Sequence, residues 1–377
     1  MTDLTTLPAM DVAGRVARVR EALDGVAPAL LVTKLVNVRW LTGFTGSAGM
    51  VLVTPDRVLL VTDGRYEAQA ADQLAAAGLG GVVDVTIGLT VASQTATLVG
   101  AVAALGSVAL EAHDVSWAEQ RRLADELRVG LVASEGLIDD LRVTKDEGEI
   151  ARIEAAAAMA TAALAAVGPS LWDALTEAEF GLELDTRMRR LGASGPSFET
   201  IVASGPNGAK PHHRPGSRTI VEGYLVVLDF GATVDGYRSD MTRTVCLGDP
   251  DAQQRRMLEV VAEAQAAGVA AVRAGATCRS VDIACREVIA AAGWADAFSH
   301  GTGHGVGLEI HEAPRLSSSA PEAATLASRS VVTVEPGVYL AGIGGVRIED
   351  SVVVTDTGCR SLTHAPKDPA WPSPPTT

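Results

Sequence analysis

LVVLDFGATVDGYRSDMTRTV (225–245) opens as an apolar run, meets an aspartate at 229, turns at Asp235-Gly236 and returns through a second aspartate at 240. Asp-Gly between two strand-like runs is a strong two-residue hairpin signal. With that turn, Val234 pairs with Tyr237 and Gly231 with Asp240. Asp229, two residues before Gly231, then shares a face with Asp240, because side chains alternate with a period of two. A slip of one residue would put the two aspartates on opposite faces. Flanked by apolar strands, two adjacent acids repel one another unless a cation joins them.

The pattern recurs further along. VVTVEPG (331–337) echoes LVVLDFG (225–231), and GVRIEDSVVV (345–354) follows it as the second acidic strand. Gly342 lies midway between Glu335 and Glu349, so a hairpin centred there sets the two glutamates opposite one another. Arg347 falls on the face of Glu349, a natural support for a ligating carboxylate. Between the two motifs stands SHGTGHGVGLEIHEAP (299–314). Its glycines at 301, 303, 305 and 307 exclude a stable helix and let backbone approach a metal or substrate closely. His304 is the ligand candidate there. Asp229, Asp240, His304, Glu335 and Glu349 are together enough to hold two divalent ions, which can activate water and clamp a tetrahedral intermediate. That combination points to a hydrolase. Four oxygen donors, one imidazole and no thiolate favour manganese, cobalt or iron over structural zinc. His212 and His213 lie in SGPNGAKPHHRPG (204–216), a loop by its proline and glycine content, and loops carry substrate contacts.

The 377 residues suffice for about two domains. In the first part, 29–34, 50–54, 58–63, 82–88, 107–112 and 129–134 read as strands, with helices over 66–77, 92–105 and 116–127. This is the pattern of an α/β domain with a covered sheet. The charged stretch LRVTKDEGEI (141–150) marks a boundary near 140–146 and opens a helix to about Val167. Thr176 and Glu179 form a capping box for a helix to about Leu191. Further helices run from Pro250 to about Ala274, and from a cap at Thr277 or Ser280 to Gly293. Five prolines in the last twelve residues predict a disordered tail from Pro366.

A net charge of -15 argues against nucleic acid or an anionic membrane as partner. The N-terminal residues lack the basic and apolar regions of a signal peptide, and Ala155–Gly168 is too short and alanine-rich to span a bilayer. The four cysteines form no CxxC pair, as expected of reduced thiols in a cytoplasmic protein.

In these surroundings the ordered five-residue set resembles that of the pita-bread metallopeptidases, specifically the Xaa-Pro aminopeptidase and Xaa-Pro dipeptidase (prolidase) group. The matching stretches are TIVASGPNGAKPHH (200–213), the two carboxylate motifs and the His304 segment. NVRWLTGFTGSAGMVLVTPDRVLLVTDGRYEAQA (37–70) resembles the creatinase-like domain that precedes the catalytic domain in this group. The resemblance runs from about residue 12 to 365. It implies an α/β N-terminal creatinase-like domain (1–140), then an α+β pita-bread (creatinase/aminopeptidase) catalytic domain (141–365), with the tail at 366–377. It also implies that Asp229, Asp240, His304, Glu335 and Glu349 bind two metals, Mn2+ first, with Co2+, Fe2+ or Zn2+ as alternatives. Asp240 and Glu349 would bridge them, and Glu335 would assist proton transfer. His212, His300 and His311 would contact substrate, stabilise the intermediate or move protons to the proline leaving group, and Arg347 would support the metal site. The implied substrate is a proline-containing peptide and the implied assembly a homodimer. The N-terminal motif tilts the expectation toward an aminopeptidase. The alternatives are a dipeptidase and, more remotely, a non-catalytic peptide-binding module of the same fold.

Overall fold

The computed structural model describes residues 6–371. Ala9–Arg142 form one compact unit, and of the described residues Val143–Trp371 form the other together with Thr6–Pro8.

The first unit is built on a six-stranded sheet of β1 (Leu30–Val32), β2 (Met50–Val53), β3 (Val58–Thr62), β4 (Asp84–Ile87), β5 (Ser107–Glu111) and β6 (Gly130–Ser134), in the order β4-β3-β2-β1-β5-β6. The β1–β2 and β2–β3 pairs are antiparallel and the other three parallel. Each strand expected from the sequence forms, as do the helices α3 (Glu67–Ala76), α4 (Val91–Val102) and α5 (Trp117–Leu127). The sequence reading missed α1 (Arg15–Leu23), α2 (Leu35–Thr42) and α6 (Leu137–Val143). α2 is rich in β-branched and aromatic residues, which are weak helix formers. Its start is secured from a distance. The Glu111 carboxylate accepts Thr33 N at 2.7 Å, Lys34 N at 2.8 Å and Asn37 Nδ2 at 2.7 Å, which satisfies donors and complements the helix dipole.

The second unit begins with α7 (Glu147–Val167), capped by a box between Asp146 and Glu149. By length and composition Glu147–Asp173 could cross a bilayer, but Ala156, Met159, Ala160, Ala163 and Leu164 are buried in the core. α8 (Glu177–Arg190) starts at the expected Thr176–Glu179 capping box. α9 (Ala252–Ala271) is capped by Asp251, and α10 (Cys278–Ala291) by Thr277 rather than Ser280, because the Thr277 hydroxyl accepts Ser280 N at 3.1 Å.

Two short strands, β7 (Gly195–Pro196) and β8 (Ile201–Ser204), lead into the first acidic hairpin. It comprises β9 (Leu225–Phe230), β10 (Ala232–Val234), β11 (Tyr237–Arg238) and β12 (Met241–Cys246). Asp235 and Gly236 have φ of 45° and 75°, as the two-residue turn demands. Val234 pairs with Tyr237, and the same register continues to Met241↔Phe230 and Thr242↔Asp229. Gly231 and Asp240 stand opposite one another at the break between the two ladders. A methyl on Gly231 would lie 1.9 Å from the Ser239 carbonyl oxygen, so only glycine fits that kink.

After β13 (Gly303–Gly305) and β14 (Glu312–Leu316) comes the second hairpin: β15 (Val331–Val334), β16 (Gly337–Leu340), β17 (Gly344–Arg347) and β18 (Asp350–Val354), with β19 (Cys359–Ser361) beyond. One register again spans its break. Val334 pairs with Asp350 and Gly337 with Arg347, which leaves Glu335 opposite Glu349 as the sequence predicts.

Residue parity sets what each hairpin offers. Val226, Leu228, Phe230, Met241 and Val245 pack with α7 and α8 in one core. Val332, Val334, Val352 and Val354 pack with α9 and α10 in another. Each such buried side chain contributes roughly 1.5–3 kcal/mol. The alternate positions, Asp229, Asp240, Glu335 and Glu349, are thereby turned away from the helices and toward one another.

The disorder expected from Pro366 does not hold over 366–371. Pro369 O accepts Cys246 N at 2.8 Å, Arg243 reaches the carbonyls of Ala365 and Pro366 at 3.0 and 3.1 Å, and Lys367 pairs with Asp350. Trp371 packs against the α7–α8 core. A proline-rich composition leaves backbone carbonyls free, and buried donors here use them. The rest of the expected tail, 372–377, lies outside the described residues.

Candidate metal centre

The two hairpins meet along β12, β17 and the start of β18, and side chains stitch them together. Thr242 Oγ1 donates to Glu349 Oε2 at 2.7 Å, Thr244 Oγ1 to Arg347 O at 2.8 Å and Ser351 Oγ to Asp240 O at 2.8 Å. The strands therefore carry their carboxylates into one cavity of about 720 Å³.

Asp240, His304 and Glu349, all buried, offer ligand atoms that lie within 4.8 Å of one another. β13 delivers His304 as the residue between Gly303 and Gly305. A methyl on Gly303 would sit 2.0 Å from Thr333 O, so the strand can lie this close to β15 only as glycine. His304 Nδ1 lies 3.0 Å from the Gly305 carbonyl, which can only accept. The proton therefore sits on Nδ1, and the Nε2 lone pair faces Asp240 Oδ2 at 3.6 Å and Glu335 Oε1 at 3.4 Å. Those contacts would be ion pairs only with a protonated ring, and burial pushes the His304 pKa down to about 3. With the ring neutral, these contacts set an imidazole lone pair against carboxyl oxygens rather than a cation against anions.

The carboxylates are strained in the same sense. Burial, then the neighbouring acids, raises Asp240 and Glu349 well above the usual carboxylate range, and burial pushes Glu335 up to about 8. Asp229 Oδ1 and Glu349 Oε1 are buried with no hydrogen-bond partner among the described residues. Orphaned acceptors, a free imidazole lone pair and crowded acids are what a divalent cation would satisfy, so the donor set fits one.

Arg347, expected from the sequence to support a ligating carboxylate, takes Asp229 of the first hairpin. Its Nη2 binds Asp229 Oδ2 at 2.5 Å and its Nε reaches Thr242 Oγ1 at 3.1 Å, because β17 lies against the first hairpin. Its Nη1 donates to Tyr339 Oη at 3.0 Å. Tyr339, whose pKa burial pushes up to about 12, stays protonated and donates to His300 Nε2 at 2.8 Å. His300 Nδ1 lies 2.8 Å from the Gly301 carbonyl, and burial lowers its pKa to about 4. Both ring nitrogens of His300 are thus engaged. His212 and His311 also line the cavity, and neither makes a hydrogen bond among the described residues. His311 stacks edge-on to His304 with ring centroids 4.4 Å apart.

The sequence reading missed Tyr339, which parity could have shown, since it lies four positions beyond Glu335 on the same face. It also missed Asp282 of α10. That fully buried carboxylate accepts Thr302 N at 3.0 Å and Thr302 Oγ1 at 2.9 Å, while Thr302 O accepts Glu335 N at 2.7 Å. No local pattern marks it.

A cation-seeking cluster of acids and one imidazole, on the wall of an open cavity between two matched hairpins, defines a metal-dependent hydrolase. The chain belongs to metallopeptidase family M24, whose model matches residues 151–356, and a creatinase/prolidase N-terminal domain matches residues 15–144. It is 39% identical over 351 residues to an uncharacterized peptidase, YqhT, of Bacillus subtilis, covering 90% of this chain and 94% of that one. An Xaa-Pro dipeptidase from Bacillus anthracis has a similar structure, with a TM-score of 0.89 at 35% identity over 95% of this chain and 99% of the other. An X-Pro aminopeptidase from Thermotoga maritima gives a TM-score of 0.84 at 32% identity, over 91% and 97%. The pita-bread expectation therefore holds.

Proposed function

We propose that the chain is a metal-dependent exopeptidase that hydrolyses Xaa-Pro bonds, with Asp229, Asp240, His304, Glu335 and Glu349 holding two divalent ions. The observation that carries this is the meeting of the His304 Nε2 lone pair with Asp240 and Glu335 in a buried acidic cluster. Bound there, the ions would supply a nucleophilic hydroxide from water at neutral pH and Lewis-acid polarisation of the scissile carbonyl. The oxygen-rich donors suit manganese, cobalt or iron.

The chain's own residues then have distinct tasks. Glu335, beside the bound ions, would assist proton transfer to and from the attacking water. His212 and His311 face the cavity with ring nitrogens that make no hydrogen bond among the described residues, and contact the reacting carbonyl or the proline nitrogen. Arg347 and Tyr339 hold Asp229 and His300 in place. An Xaa-Pro bond has no N–H, so the site needs no acceptor for one. The family resemblance carries the homodimer, which light scattering would check.

The sequence favours an aminopeptidase, and Arg315 supports the dipeptidase reading. It lines the cavity from β14, exposed, and its guanidinium makes no hydrogen bond or ion pair among the described residues. A free guanidinium there suits the terminal carboxylate of a dipeptide. Arg315→Ala is expected to raise KM for an Xaa-Pro dipeptide about ten-fold and to change an Xaa-Pro-Xaa tripeptide amide little. Equal effects on both substrates would remove Arg315 from carboxylate recognition.

The primary test is hydrolysis of an Xaa-Pro dipeptide and an Xaa-Pro-Xaa tripeptide, each with manganese and with chelator. Tripeptide cleavage lost on chelation supports the aminopeptidase, and cleavage of the dipeptide alone the dipeptidase. Turnover of neither would favour the binding-module reading.

A further inference from the structure

The long connection from β8 to β9 carries His212 to the cavity; it opens with a 3-10 turn over Gly205–Ala209, and beyond that its glycines and prolines give it no helix or strand before β9. One end is wedged against the second hairpin: Gly208 packs on the Gly345 backbone, and Pro211 O accepts Arg347 Nη1 at 3.3 Å. The other anchor is Glu177 at the start of α8, whose side chain is wholly buried.

Among the described residues, every hydrogen bond to that carboxylate comes from residues 204–216. Oε1 accepts Ser204 N and Ser204 Oγ, both at 2.8 Å, and Asn207 Nδ2 at 3.0 Å. Oε2 accepts Asn207 Nδ2 at 3.2 Å, His213 Nε2 at 2.8 Å and Gly216 N at 3.3 Å. The adjacent backbone extends the staple, with Glu177 N on Arg218 O and Ala178 N on Gly216 O, both at 3.0 Å. Burial works to raise the Glu177 pKa, but the donors from Ser204, Asn207 and His213 hold it below its ordinary value. A first-turn acid that served only the helix dipole would turn its carboxylate to its own amides. Glu177 instead gathers the two ends of a loop whose middle carries His212.

We propose that Glu177 is a positioning residue of the active site, which seats the 204–216 loop so that His212 meets the substrate. This rests on the reading of His212 as a substrate contact. Gln at 177 keeps the size but turns one acceptor into a donor that faces other donors.

The test compares Glu177→Gln, His212→Ala, the double variant and His213→Ala in the manganese-loaded full chain, with an Xaa-Pro dipeptide as substrate. Glu177→Gln is expected to bind the parent's metal complement and to lose about ten-fold in kcat/KM, divided between kcat and KM as in His212→Ala. The double variant is expected to be no worse than His212→Ala alone, since both act through one group. Hydrogen exchange at the Ser204 and Gly216 amides is expected to speed up in Glu177→Gln. Parent-like kinetics in Glu177→Gln, or multiplicative losses in the double variant, would overturn the proposal. If Glu177→Gln does not fold, His213→Ala breaks the same anchor from the loop side, and parent-like kinetics there would overturn it equally. Parent-like kinetics in His212→Ala would remove the premise. If even the parent cleaves no Xaa-Pro substrate, the functional reading fails, while unchanged exchange in Glu177→Gln would separately sink the anchoring.

Discussion

Alanine at Asp240 or Glu349 is expected to reduce kcat/KM by on the order of a thousand-fold or more, with the protein still folded. Both carboxylates converge with His304 on one point, and neither has a cationic side chain as its direct partner among the described residues. Removing either takes away a cation ligand while relieving repulsion among buried acids. The two effects separate experimentally. Metal analysis of purified Asp240→Ala is expected to show fewer bound ions than the parent. Melting of chelated protein is expected to show a variant at least as stable as the parent, because an unpaired buried charge costs several kcal/mol. Parent-like turnover with full metal content in either variant would sink the ligand assignment.

Chelation should also give stability an unusual pH dependence. Glu335 rises from 4.5 to about 8 in the folded chain, and burial also raises Asp240 and Glu349. A carboxyl whose folded pKa is raised favours the fold fully below its unfolded value. That contribution fades as pH climbs to the folded value. His304 works the other way: lowered from 6.5 to about 3, its contribution is present above 6.5 and lost as pH falls. Between pH 6.5 and 8 the carboxylates act without that opposition. The chelated protein is therefore expected to lose on the order of 2 kcal/mol across that interval from Glu335 alone, at about 1.36 kcal/mol per pH unit. Manganese-loaded protein needs these groups ionised, so its stability is expected to hold or rise over the same interval. Thermal melts in both states across pH 6.5–8 would read the divergence. Parallel curves would show that the cluster does not bind the ion.

Much of this centre could be read from the chain because its logic is local. Asp235-Gly236 fixes a turn, the turn fixes a register, and a period of two carries Asp229 and Asp240 to one face. Gly342 does the same for Glu335 and Glu349. Which carboxylate Arg347 supports, Asp229 of the first hairpin, was not legible, because the packing of β17 against that hairpin decides it. The misses share that cause. The engagement of His300 by Tyr339, the support of Thr302 by Asp282 and the hold of Arg243 and Asp350 on the segment from Ala365 to Lys367 all join residues far apart in the chain. α2 escaped notice for the same reason, since Glu111 secures its start from another strand.

The sequence by itself determined the two hairpins, their registers, the faces that carry the acids and the chemistry of the donor set. These follow from φ preferences, side-chain alternation and ligand type, which act over a few neighbouring residues. Only the tertiary structure decided which face meets which, that His304 points its lone pair into the acids, and that Glu177 anchors the loop of His212. Those outcomes depend on how separate cores, each buried against its own helix pair, bring distant strands side by side, and no short-range pattern encodes that distance.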